Sequence, residues 1–283
     1  MDTERANIRS PGVSGMFYPS EGRPLTALIE NFHREVKSKI SPEPVSGTII
    51  GGIVPHAGIE YCGRHAVHFF DRVKNSGFPF ETVIIMHPNH YGSGPALSAD
   101  DHQGWEVSNG IIEADLDFAE ELNLPFSAAA QKREHSAEVI VPYILHFLSG
   151  NLRLVSINML DQSYGAAKDV AVRICSAVQK LKRKVLVIAS SDFTHFESRT
   201  VAKGLDDIVL QEITTRNARG VSRAVRENNL SVCGYGPIMA LMEYSAMVDP
   251  EYRVKILSRG DSGDISNTSD VVSYISALFS EHH

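Results

Sequence analysis

Three histidines of this 283-residue chain stand in equivalent places. His56 follows the apolar run 48–54, in Val54-Pro55-His56-Ala57-Gly58. His90 follows the run 82–86, in His87-Pro88-Asn89-His90. His195 follows the run 185–189, in Ser190-Ser191-Asp192-Phe193-Thr194-His195. An imidazole changes charge near neutrality, donates from one nitrogen and accepts at the other, so a cluster of them can hold a ligand or exchange protons. One histidine after a strand is ordinarily a hydrogen-bonded loop residue. The repetition at three strand ends argues instead for a shared pocket, because ligands of open α/β sheets bind beyond the carboxyl ends of the strands.

Other residues can join that pocket, each with a plainer role beside it. Asp192 can orient an imidazole or act as a ligand, or it can cap a following helix. Cys233 lies in Val232-Cys233-Gly234-Tyr235-Gly236-Pro237, ahead of a helical run over 238–247. A helix start favours thiolate there, which predicts a Cys233 more reactive than Cys62 or Cys175; a small buried apolar residue is the alternative. His135, in Glu134-His135-Ser136-Ala137-Glu138, either reaches the pocket or belongs to a polar helix entry.

The elements that must position these residues are legible as apolar runs at 48–54, 82–86, 154–159 and 185–189. Short continuous runs suit strands buried on both faces. Between them, 24–39, 137–148 and 164–181 carry helical periodicity. The alternation predicts an α/β fold with a largely parallel central sheet flanked by helices. Beyond it, 252–257 alternates like a strand, 258–264 reads as a loop and 271–275 as another strand, adding antiparallel strands at the C-terminal end. The Pro-containing stretch 41–47 reads as a connector after an N-terminal helix, and residues 1–283 read as a single domain.

Composition narrows the function classes. Hydrophobic residues make up 43% and charged residues 22%, enough for one sizeable core. Net charge is -7 and the only basic run is Lys180, Lys182, Arg183 and Lys184, best read as a solvated helix end, so nucleic acid is not an expected partner. No apolar run approaches a membrane span, and Met1 to Arg5 lacks a signal core. Three cysteines without paired spacing favour a reducing, cytoplasmic setting. The closing His282-His283 is assigned no function.

Taken in order, several segments resemble the MEMO family: Gly15-Met16-Phe17-Tyr18-Pro19, Pro55-His56-Ala57-Gly58-Ile59-Glu60-Tyr61-Cys62-Gly63, Pro88-Asn89-His90, Glu134-His135-Ser136-Ala137-Glu138, the Ser190 to His195 segment, Cys233-Gly234 with Gly236-Pro237-Ile238, and Ser262-Gly263-Asp264. The resemblance implies a fold like that of class III extradiol dioxygenases. It places His56, His90 and Cys233 at metal-ligand positions, His195 at an acid-base position with Asp192 beside it, and His135 within the pocket. Cys233 in place of a carboxylate softens the site toward iron, copper or zinc. His87 stands where the family usually has glycine, which predicts a polar side chain near the pocket mouth. Three activities are compatible with the resemblance: an iron- or copper-dependent redox enzyme acting on a small molecule, a peptide- or phosphopeptide-binding protein without catalysis, and a zinc hydrolase.

Overall fold

A computed structural model describes residues 7–148, 150–266 and 268–282; the N-terminal residues Met1 to Arg5 and His283 lie outside them. The strands are β1 (Ile8–Arg9), β2 (Ile49–Val54), β3 (Thr82–Pro88), β4 (Leu97–Ala99), β5 (Gly104–Val107), β6 (Gly110–Ala114), β7 (Arg153–Met159), β8 (Val185–Ser190), β9 (His195–Ser198), β10 (Arg253–Asp261) and β11 (Asp270–Ser280). The helices are α1 (Gly22–Val36), α2 (Ile59–Ser76), α3 (Leu116–Glu121), α4 (Ala128–Gln131), α5 (Val141–Phe147), α6 (Tyr164–Leu181), α7 (Arg199–Thr214), α8 (Ala218–Glu227) and α9 (Tyr235–Val248). None of them is long and apolar enough to cross a membrane.

All the strands belong to one mixed sheet with the order β1-β5-β6-β7-β3-β8-β2-β11-β10, to which β4 and β9 attach through β7 and β11. Its centre, β7-β3-β8-β2, is parallel throughout. The apolar runs at 154–159, 82–86, 185–189 and 48–54 supply these four strands, and their side chains alternate between two cores. Ile53, Ile84, Met86, Val155, Ile157, Val187 and Ala189 face α6 and α9. Val54, Val83, Ile85, Leu154, Leu186 and Ile188 face α1, α2 and α5. Burial on both faces is why these runs lack polar alternation. Gly52 is required by the packing, since a Cβ there would lie 2.2 Å from the Phe69 ring of α2.

The C-terminal hairpin inserts antiparallel beside β2, with β11 pairing β2, β10 and β9. The stretch expected as a loop at 258–264 is mostly strand: β10 continues through a bulge to Asp261, and only Ser262–Asp264 forms a 3₁₀ turn. Polar Ser258, Arg259 and Asp261 hid this extension, because each is only partly buried at the sheet edge. The basic cluster ends α6 as expected, with Lys182 left-handed and Lys180 paired to Glu121.

Candidate functional site

Because β2, β8 and β3 are adjacent and parallel, the segments leaving their carboxyl ends converge. The structure brings one ring or sulfur atom each of His56, His90 and Cys233 within 4.8 Å of one another. The His56 and His90 rings are 5.2 Å apart and nearly perpendicular.

His56 is 1% exposed, and its neighbours fix its protonation. Ser190 Oγ donates its only proton to the Ser136 carbonyl at 2.5 Å. The 2.7 Å contact between Ser190 Oγ and His56 Nδ1 therefore has the imidazole as donor. The proton on Nδ1 leaves the Nε2 lone pair bare, and Nε2 is buried with no hydrogen-bond partner among the described residues. Burial, then the neighbouring His135 and His90, hold this imidazole well below the usual histidine range, hence neutral. Its backbone N–H donates to Asp192 Oδ1 at 2.8 Å.

His90 sits on a turn closed by Asn89, whose amide donates to Ser93 O and Asn158 Oδ1 and whose oxygen accepts from Tyr91 N–H. Both its backbone N–H and its Nδ1 meet the Glu134 carboxylate, at 2.7 and 2.8 Å. Glu134 has a fully buried side chain. Burial pushes its pKa up, but the hydrogen bond from His90 and the nearby His87 and His90 outweigh this and hold it below the usual carboxylate range.

Cys233 is free and partly buried. The chain around it must pass close to β8: a Cβ on Gly234 would lie 2.1 Å from the Ser190 carbonyl. Burial, then Asp192 and Glu134, push the Cys233 thiol up, which reverses the thiolate expected from the helix start. Desolvation and two carboxylates outweigh a partial helix charge. The sulfur lies 3.5 Å from His195 Nε2. His195 Nδ1 donates to the carbonyls of Phe193 (2.6 Å) and Ser231 (2.9 Å), so the nitrogen facing the thiol is Nε2, an acceptor when the ring is neutral. Its position is set on one side by Thr194, which donates to buried Asp206, and on the other by β9 pairing with β11. The next residue, Phe196, is 79% exposed with φ +59°, a strained conformation for an aromatic residue.

Two expectations change, and a third is met. Among the described residues Asp192 makes no hydrogen bond to an imidazole and caps no helix; it is 3% exposed, holds the His56 backbone, and burial raises its pKa to about 6. A short strand rather than a helix follows it. His87 does not reach the pocket mouth, because β3 runs two residues further than its apolar core; the ring is fully buried between Ser156 and Ser136. His135 does reach the pocket, its ring 4.6 Å from His90, 5.5 Å from His56 and 4.5 Å from Phe17. Burial, then His90, lower its pKa to about 4, so its 3.5 Å approach to Glu134 is a contact of a neutral ring and not an ion pair. Sequence reasoning passed over Glu134, Ser136 and Ser190 as site residues. Their signal was present as polar residues inside or beside buried runs.

The donor set fits a transition-metal ion. It offers two imidazoles, that of His56 neutral with an orphaned buried lone pair, and a sulfur. With metal–ligand bonds of about 2.0–2.3 Å, three ligand atoms share an ion when roughly 3–4 Å apart, so shifts of about 1 Å would close this set on one. 

A family model described as Memo-like protein matches residues 9–278. Among similar proteins, a MEMO1 family protein of Methanobrevibacter smithii is 36% identical over 96% of this chain and 99% of its own length. A MEMO1 family protein of Methanocaldococcus jannaschii is 35% identical over 96% of this chain and 98% of its own length. Among solved structures, an uncharacterized protein from Escherichia coli K12 aligns with a TM-score of 0.47 and 10% identity, covering 74% of this chain and 90% of that one, too distant a likeness to bear on function.

Proposed function

This chain belongs to the Memo-like protein family, and from that premise we propose that it is a metal-dependent redox protein of the cytoplasm, with His56, His90 and Cys233 as ligands of iron or copper. The observation that carries the reading is the orphaned Nε2 of His56. A buried acceptor without a donor costs about 1–3 kcal/mol, and a cation bound among these three groups would remove that cost. The mixed nitrogen and sulfur set suits copper, iron or zinc better than magnesium or calcium. A bound iron or copper ion would supply one-electron chemistry and Lewis acidity at this point.

The protein's own groups have separable tasks in this reading. His56 binds through a neutral ring, so it has no proton to lose first. Cys233 binds only as thiolate. Its proton has a nearby acceptor in His195 Nε2, whose orientation the Phe193 and Ser231 carbonyls set. In this reading the same nitrogen exchanges protons with a substrate entering beside His90, whose side chain is 27% exposed. Asp192 and His135 support the site, Asp192 by holding the His56 backbone and His135 by packing against His90.

The test is metal content and affinity of protein made without a histidine tag. His56→Ala and His90→Ala are each expected to weaken binding by about 100-fold, taking roughly 3 kcal/mol for one ligand of a set. His195→Ala should keep the metal and lose turnover. Equal loss of metal in all three variants would overturn the division of roles.

A further inference from the structure

We infer that the turn Glu134-His135-Ser136 is a positioning clamp that sets the tautomer of both site imidazoles, with Glu134 as its anchor. The inference deepens the metal reading above and rests on it for its functional consequence, though not for its geometry.

Glu134 holds His90 at two points. Oε2 accepts the backbone N–H and Oε1 accepts Nδ1–H, so neither the ring nor the chain beneath it can turn. The same Oε1 accepts from the N–H and the hydroxyl of Ser136, at 3.1 and 2.8 Å. Ser136 then controls the other imidazole. Its carbonyl takes the Ser190 proton, which obliges Ser190 Oγ to accept from His56 Nδ1. One carboxylate thus orders His90 directly and His56 through Ser136 and Ser190. An unrestrained neutral imidazole populates both tautomers, whereas here Glu134 keeps a proton on His90 Nδ1 and Ser190 keeps one on His56 Nδ1, so in each ring Nε2 is the nitrogen open to a ligand.

Glu134 is not itself a ligand. With three donors on Oε1 and one on Oε2, its acceptor capacity is largely used. The proximity of His90, Glu134 and His135 is therefore a hydrogen-bonded cluster and not a second ion site. The turn is also anchored from behind, because buried Arg9 donates to the Gln131 and Glu134 carbonyls and pairs with Glu138 at 2.6 Å.

Glu134→Gln and Ser190→Ala separate the two arms. Imidazole nitrogen chemical shifts of the metal-free protein at neutral pH report the tautomers, and cobalt(II) titration, read by thiolate-to-cobalt absorption, reports ligation. Glu134→Gln is expected to mix the His90 tautomers and weaken cobalt(II) binding by about 10–100-fold. Ser190→Ala should mix those of His56 alone and weaken cobalt(II) by about 10-fold; should Glu134→Gln not fold, this arm decides by itself. Tautomers and affinity both within about twofold of the parent would overturn the clamp. A parent that takes up no cobalt(II) would sink the metal reading, and the tautomer shifts would still decide the clamp.

Discussion

Replacing Arg9 by alanine tests how the N-terminal segment supports the site. Arg9 is 2% exposed, and its guanidinium donates to the Glu138 carboxylate at 2.6 Å, to the Gln131 carbonyl twice and to the Glu134 carbonyl once. It also lies over the Trp105 ring at 4.2 Å. Glu138 would keep its bonds from Gly12 N–H, Val13 N–H and Tyr18 O–H but lose its only ion-pair partner among the described residues. Removing one member of a buried pair costs about 3–5 kcal/mol, and two orphaned carbonyls act in the same direction. Against a typical total of about 5–15 kcal/mol, Arg9→Ala should leave the protein marginal. Trp105, the one tryptophan and 1% exposed, gives a fluorescence signal for urea unfolding at the spot being perturbed. The double variant Arg9→Met with Glu138→Gln should cost less than the sum of its parts by about 2 kcal/mol. A loss under about 1 kcal/mol for Arg9→Ala, or strict additivity, would refute the argument.

Two further outcomes follow from the protonation states. In metal-free protein Cys233 should alkylate more slowly than the partly buried Cys175, because burial and the two carboxylates keep its thiol protonated; mass spectrometry showing Cys233 faster would contradict this. Acid should destabilise the fold steeply. Burial lowers His65, His87 and His135 to about 4 and His56 well below its usual value, so the unfolded chain takes up their protons first as pH falls below 6.5, while Asp192, raised to about 6, acts in the opposite sense. Near pH 5 the net is about two to three protons, a loss of roughly 3–4 kcal/mol per pH unit. Urea midpoints that stay level between pH 7 and pH 5 would show that these rings are not buried neutral.

The central strands were legible because burial on both faces leaves nothing but apolar runs, and the three histidines were legible because each stands just past one. What escaped has a physical reason in each case. Helix α2 was missed because buried His65, His68, Asp71 and Arg72 interrupt its apolar face. Three of those side chains have long-range partners: His65 meets Ser258, Asp71 meets His33, and Arg72 donates to the Ser41 and Glu43 carbonyls. Glu134 read as a helix-entry residue because its real partner, His90, is 44 positions away. Cys233 drew attention to its helix when the two carboxylates facing it mattered more.

The pairing of β11 with β2 and β9 carries a consequence for biosynthesis. His56 emerges from the ribosome early, yet His195 is held in register by Val272, and β2 has its outer partner only once Gly51 to Ile53 meet Ala277 to Phe279. A nascent chain shorter than these residues exposes its histidines and thiols without the arrangement that would hold an ion. Under the metal reading proposed above, acquisition of an ion would be deferred until translation has passed β11, and a ribosome-stalled fragment ending before Asp270 is expected to be loose at His195 whatever metal surrounds it.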